Sequence, residues 1–154
     1  MAPPEPPVLP DEPPGQEPAH WSFGTTADVG IAARAGDGAR LLAELAEALV
    51  EVITDRERIL PRESRPFRVE GQTDEGLVVA FLGEILYWQD GSGWLPHHLE
   101  VHLDAGGTPT AWGSAFGETL QPARHPVKVG VKAVTLHDLT FDRRAGRASV
   151  ILDI

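Results

Sequence analysis

The chain has 154 residues, 23 Asp and Glu against 13 Lys and Arg, a formal net charge of −10 and no cysteine. That length suits one domain with an appendage. The acidic balance excludes a broad phosphate-binding surface, because non-specific nucleic-acid affinity comes from Lys and Arg neutralising phosphates. The absence of cysteine excludes disulfides, thiol catalysis and Cys-based zinc or iron–sulfur sites.

Residues 1–20 hold eight of the 14 prolines, four acids and no Lys or Arg. Such a segment buries too little apolar surface to offset its ordering entropy, which predicts a disordered, partly polyproline-II tail. An inert extension and a docking peptide for a groove that reads proline are both open. No basic stretch followed by an apolar run opens the chain, so no signal peptide is expected. No run approaches the length of a membrane span, and cytoplasm is the default location.

Residues 21–154 are read as the folded domain. Val29–Ala35 is a short strand. Asp37-Gly38 caps a helix from Ala39 to about Thr54, where Leu41, Leu42, Leu45, Leu49, Val52 and Ile53 recur at helical spacing with Glu44, Glu47 and Glu51 between them. A charged, proline-bracketed connection, 55–66, leads to a strand over Phe67–Gly71. Thr73-Asp74 opens a second helix to about Trp88, with Leu77, Val78, Phe81, Leu82, Ile85 and Leu86 as its apolar stripe and Gln89–Gly93 as its end. The period then falls to two, with Leu99, Val101 and Leu103 alternating with His98, Glu100, His102 and Asp104. Ala105-Gly106-Gly107 is a turn into a strand over 108–117, and 117–126 is a loop. Val127–Asp142 is a long strand or a bent pair, Arg143–Gly146 a hairpin turn, and Arg147–Ile154 the closing strand. The order β-α-β-α-β-β-β-β predicts an α+β fold with two helices covering one mostly antiparallel sheet.

The chain closes on Val150-Ile151-Leu152-Asp153-Ile154. The side chain of Asp153 and the α-carboxylate of Ile154 repel unless a positive group sits between them. A hard divalent cation fits if a third oxygen ligand approaches, and Asp28 is the best candidate. Each has a plainer reading: Asp28 can cap a turn, and Asp153 can point to solvent. On a strand, Lys132 and His137 fall on opposite faces. They read either as an edge lysine with a hydrogen-bonded histidine, or as charged contacts for a partner or anion. His98 and His102, beside His97, have the spacing of a transition-metal pair, but a polar strand face accounts for them without one. No motif for covalent catalysis or phosphate cradling survives inspection. A small hydrolase built on Asp28, His137 and a metal is conceivable, though no spacing demands it.

Three motifs, in order, resemble the archease family: Thr26-Ala27-Asp28-Val29-Gly30-Ile31, Val131-Lys132-Ala133-Val134-Thr135-Leu136-His137, and Val150-Ile151-Leu152-Asp153-Ile154. Gly117-Glu118 and His125 also match in position. The resemblance spans about Trp21 to Ile154. It implies a compact α+β domain that is not an enzyme. It would be a cofactor protein that promotes guanylylation and repeated turnover of the GTP-dependent tRNA-splicing RNA ligase, with the ligase catalytic subunit as partner and no direct nucleic-acid binding. It also implies a divalent cation, calcium, held by Asp28, Asp153 and Ile154, and places Lys132 and His137 on the partner-binding surface. The alternative is a chaperone-like adaptor for nucleic-acid-processing proteins with a structural cation. Two residues depart from the family pattern: Thr25 stands where a His is usual, and Leu136 where a Tyr is usual. Threonine can cap or coordinate through its hydroxyl but carries no proton or charge as histidine does.

Overall fold

The computed structural model describes residues 9–25, 28–104 and 106–154. Residues 1–8 of the tail, Thr26 and Ala27 of the first motif, and Ala105 of the predicted turn lie outside them. The order is β1 (Ala19–Gly24), β2 (Val29–Arg34), α1 (Gly38–Ile53), a 3-10 turn (Arg56–Arg58), β3 (Glu63–Glu70), α2 (Asp74–Ser92), β4 (Trp94–Asp104), β5 (Thr110–Thr119), β6 (Ala133–Val134), β7 (Thr140–Asp142) and β8 (Arg147–Asp153). The α+β class and the element order hold, with one strand added in front and two short strands, β6 and β7, where the predicted order counted one.

The strands divide between two antiparallel sheets, where the sequence reading had one. One runs β1-β2-β8-β6, with β7 also on β8, and the other runs β3-β5-β4. Both helices contact strands of both sheets and so lie between them. This arrangement buries two sides of a helix, and Leu77, Val78, Phe81, Leu82, Ile85, Leu86 and Trp88 of α2 are all buried. Period-two alternation identifies a strand but carries no information about its neighbour, so the split was not legible.

The helix caps follow from local chemistry. Asp37 accepts the Arg40 N–H at 2.8 Å to open α1, and Thr73 accepts the Gly76 N–H at 3.0 Å to open α2. The second helix runs past Trp88 through Gly91 and stops at Gly93, whose φ of 61° is the left-handed conformation that glycine adopts at no steric cost. β3 extends back through Pro66, which a strand at a sheet edge tolerates. Of the two readings of 127–142, a long strand or a bent pair, the structure has the pair, as the short strands β6 and β7. Leu136–Leu139 turns between them, with Asp138 at φ 52° and a Leu139 N–H to Leu136 carbonyl bond of 3.2 Å.

The described part of the segment expected as a tail, residues 9–20, lies on the domain. Ala19 and His20 already belong to β1. Residues 9–18 carry no helix or strand, yet they lie against the domain. Leu9 is buried, and the Trp21 indole N–H donates to the Pro10 carbonyl at 2.8 Å. The guanidinium of Arg34, 4% exposed at the end of β2, donates to the carbonyls of Pro13, Pro14 and Glu17. Glu12 accepts from Arg147 at 2.9 Å and lies 3.5 Å from Arg34. The physical reason is complementary: a buried guanidinium needs several acceptors, and a proline-rich segment offers carbonyls without competing N–H groups.

Candidate functional site

The first motif sits in the β1–β2 hairpin. The Thr25 hydroxyl accepts the Asp28 N–H at 2.9 Å and donates to the Asp28 carbonyl at 3.0 Å, while the Thr25 N–H reaches the same carbonyl at 3.2 Å. The turn residue thus fixes the main chain that presents the half-buried Asp28. Gly30, two residues on, has the Phe23 ring of the paired strand over it, at 2.2 Å from where a Cβ would be. A side chain there would displace the Phe23 ring.

The last motif is β8. Its core face carries Ala148, Val150 and Leu152, all fully buried. β2 pairs with β8 from Arg34↔Arg147 to Val29↔Leu152. The register run one step further puts Asp28 across from the exposed Asp153. On the other side of β8, Ala133 pairs with Asp153, and the Lys132 N–H donates to the Asp153 carbonyl at 2.7 Å. Asp28, Asp153, Ile154 and Lys132 therefore all lie at the end where three adjacent strands stop. Oppositely placed residues on neighbouring strands hold their Cβ atoms about 5 Å apart, close enough for two carboxylates to share one ion. The donors are all oxygens, which suits a hard cation; the Thr25 hydroxyl is already committed to the turn. Ile154 is 41% exposed, with its main-chain oxygens beside Asp153 in sequence.

The middle motif divides. Lys132 is exposed beside Asp153, and the Thr135 hydroxyl donates to the Ile151 carbonyl at 3.1 Å. His137 is not on a strand. It lies in the exposed Leu136–Leu139 turn, with its ring 3.1 Å from the Asp138 carboxylate. No contact among the described residues joins it to Asp28 or Asp153. Leu136 is also exposed.

Glu118 and His125 form a buried anchor for the loop that leads to Lys132. Glu118 accepts the Leu60 N–H at 2.6 Å and the Arg124 guanidinium at 2.5 Å. His125, 1% exposed, accepts the Gln121 N–H on Nδ1 and donates from Nε2 to the Arg58 carbonyl at 3.0 Å. Burial disfavours ionisation of Glu118, but the Leu60 N–H and the neighbouring cations outweigh it and lower its pKa. Farther along the loop, the Lys128 N–H donates to the Ile53 carbonyl at 2.7 Å. On the outer face of the second sheet, His98 stacks on Phe116 at 5.0 Å and His102 on Trp112 at 5.7 Å, so the predicted polar strand face is an aromatic one.

One cluster was missed. Glu44, Glu47 and Glu51 were read only as the acids between the apolar positions of an amphipathic helix, but His20 of β1 reaches across them. Its Nδ1 lies 2.6 Å from Glu44 and its Nε2 lies 3.0 Å from Glu51. Burial alone would favour neutral imidazole, but the two bonded carboxylates outweigh it and raise the His20 pKa to about 9. Burial pushes the Glu47 carboxyl up. The signal was available only in part: three acids at i, i+3 and i+7 mark one helix stripe, but His20 had been assigned to the tail.

The archease protein family matches residues 21–154 of the chain. A relative named protein archease from Methanopyrus kandleri is 34% identical over 132 residues, 84% of this chain and 94% of that one. Another of that name, from Pyrococcus furiosus, is 33% identical over 119 residues, 77% of this chain and 84% of the relative. The solution structure of Methanobacterium thermoautotrophicum protein 1598 superposes with a TM-score of 0.72 at 26% identity, covering 88% of this chain and 99% of that one.

Proposed function

The chain belongs to the archease family, and from that premise we propose that it is a non-catalytic, cation-binding cofactor protein of the GTP-dependent tRNA-splicing RNA ligase. Family membership supports the role in RNA processing. What supports the reading at residue level is that β2 begins one residue after Asp28 at the end of the first sheet where β8 finishes at Asp153, whose carbonyl accepts the Lys132 N–H, and that these residues come from motifs at opposite ends of the domain.

In this reading Asp28, Asp153 and a main-chain oxygen of Ile154 hold a divalent cation, for which calcium is the proposed ion. Bound there, the ion supplies charge neutralisation between two carboxylates that otherwise repel across the β2–β8 ladder. Thr25 holds the Asp28 main chain in position, and the 121–132 loop, anchored by Glu118 and His125, brings Lys132 beside Asp153. The strand ends become a fixed, charged surface for the ligase near its nucleotide pocket. The net charge of −10 is complementary to a protein that must itself attract RNA and nucleotide phosphates.

The test is multiple-turnover ligation of a cleaved tRNA by the host's ligase. Added wild-type protein is expected to convert a single round of ligation into repeated rounds, and Asp28→Ala or Asp153→Ala to abolish the gain. Full turnover with both variants would overturn the proposed site. Absence of any gain with wild-type protein would overturn the function.

A further inference from the structure

The His20 cluster on α1 has an orientation that a plain ion-pair network does not require. Each of the three glutamates splits its oxygens in the same way. Glu44 turns Oε1 to Arg40 at 2.6 Å and Oε2 to His20 Nδ1 at 2.6 Å. Glu47 turns Oε1 to Arg56 at 3.5 Å and Oε2 to His20 Nδ1 at 3.7 Å. Glu51 turns Oε1 to Arg56 at 3.0 Å and Oε2 to His20 Nε2 at 3.0 Å. Three Oε2 atoms converge on one imidazole while both guanidiniums stay outside. Three carboxylates against two guanidiniums leave one negative charge to be neutralised at the ring.

We infer that His20 Nδ1, Glu44 Oε2 and Glu47 Oε2 form a binding site for a borderline divalent transition-metal ion such as Zn2+, separate from the oxygen-only strand end. The three ligand atoms lie within 4.8 Å of one another. Metal–ligand bonds of about 2.0–2.2 Å in tetrahedral geometry set neighbouring ligand atoms about 3.3 Å apart. The observed 2.6 and 3.7 Å separations around Nδ1 lie on either side of that value, so sub-ångström side-chain movements suffice.

The second observation is the other ring nitrogen. Nε2–H points at the Glu51 carboxylate, which Arg56 holds in turn. A carboxylate on the far nitrogen is the arrangement that fixes the tautomer and orientation of metal-ligating histidines. Glu47 makes no hydrogen bond within the cluster, its closest cation being Arg56 at 3.5 Å. It is the one carboxylate of the three held by ion pairs alone, to Arg56 at 3.5 Å and His20 at 3.7 Å, so a new positive partner displaces no hydrogen bond from it. A metal ion entering the site replaces the proton on Nδ1, which leaves to solvent, while Nε2–H stays in place. The mixed nitrogen and oxygen donors favour zinc-like ions over calcium.

The test has two parts on the full chain. In a protein carrying Asp28→Asn and Asp153→Asn, Co2+ titration followed by visible absorption is expected to show one tight ion in a nitrogen–oxygen environment. Adding Glu47→Gln, which removes no hydrogen bond, is expected to weaken that binding at least tenfold. In the wild-type protein, Zn2+ is expected to shift the 15N resonance of His20 Nδ1 and to leave the Nε2 proton bonded. A His20 Nδ1 resonance unmoved at saturating Zn2+, or Co2+ affinity unchanged by Glu47→Gln, would overturn the site and leave the cluster a closed ion-pair network. The NMR arm decides the matter if the multiple variants do not fold.

Discussion

Asp28 and Asp153 each lie one residue beyond Val29 and Leu152, the last pair of the β2–β8 ladder. Like charges directly opposite on neighbouring strands are destabilising, by up to about 1 kcal/mol. With calcium bound, the same pair becomes a ligand set, and binding to the folded state alone raises its stability. Wild-type protein is therefore expected to melt higher in calcium than in chelator. Asp153→Ala should lose that rise while melting at or slightly above the wild type in chelator. Calorimetry in the two buffers checks both signs.

Thr25 acts on Asp28 through the main chain. Replacing it with alanine removes both hydroxyl bonds, the one accepted from the Asp28 N–H and the one donated to the Asp28 carbonyl. The expected loss is about 1 kcal/mol of stability, with weaker calcium binding by titration calorimetry. Thr25→Ser keeps the hydroxyl and should retain both. Unchanged calcium affinity in Thr25→Ala would show that Asp28 does not depend on this turn.

His20 gives the domain an alkaline limit. Its partners are Glu44, Glu47 and Glu51, with Arg40 and Arg56 on the far sides of those carboxylates. Because its pKa rises from 6.5 unfolded to about 9 folded, the folded state binds the proton more tightly. The stabilisation is fully present below pH 6.5, declines as pH rises and is gone above about 9. It is on the order of 2 kcal/mol. Melting curves from pH 6 to 10 in chelator should fall across that window, and Glu51→Gln should flatten the fall.

Arg34 holds residues 9–18 to the first sheet. Arg34→Met leaves the Pro13, Pro14 and Glu17 carbonyls without their donor, and Glu12 keeps only Arg147. Faster hydrogen exchange and early proteolysis confined to this segment are expected, with a stability loss of about 2 kcal/mol. Uniform loss of protection across the domain would instead mean that Arg34 supports the sheet itself.

Legibility followed the range of the interactions. Both helices were readable because Leu41 to Ile53 and Leu77 to Leu86 repeat at 3.6 residues, and their caps at Asp37 and Thr73 are local. The hairpin before β8 was readable because Asp142 accepts the Arg144 and Ala145 N–H groups within the turn itself. Asp28 and Asp153 were singled out by an oxygen-ligand argument together with motif order, and the sheet end they share follows from the β2–β8 register. What stayed hidden depends on distant partners. The placement of residues 9–18 needs the buried Arg34, the face of α1 needs His20, and the division into two sheets depends on strand pairing. Ala133 and Val134 could be assigned to a strand, but the positive φ of Asp138 beyond them could not be read, and with it went the placement of His137.

The most direct measurement is single-turnover guanylylation of the host's ligase, followed by transfer of labelled GMP, with calcium or chelator, wild-type protein or Asp153→Ala. The account predicts that wild-type protein in calcium raises the rate at least tenfold over ligase alone, and that chelator or Asp153→Ala removes most of that gain while the variant remains folded. Equal acceleration by wild type and Asp153→Ala would contradict it.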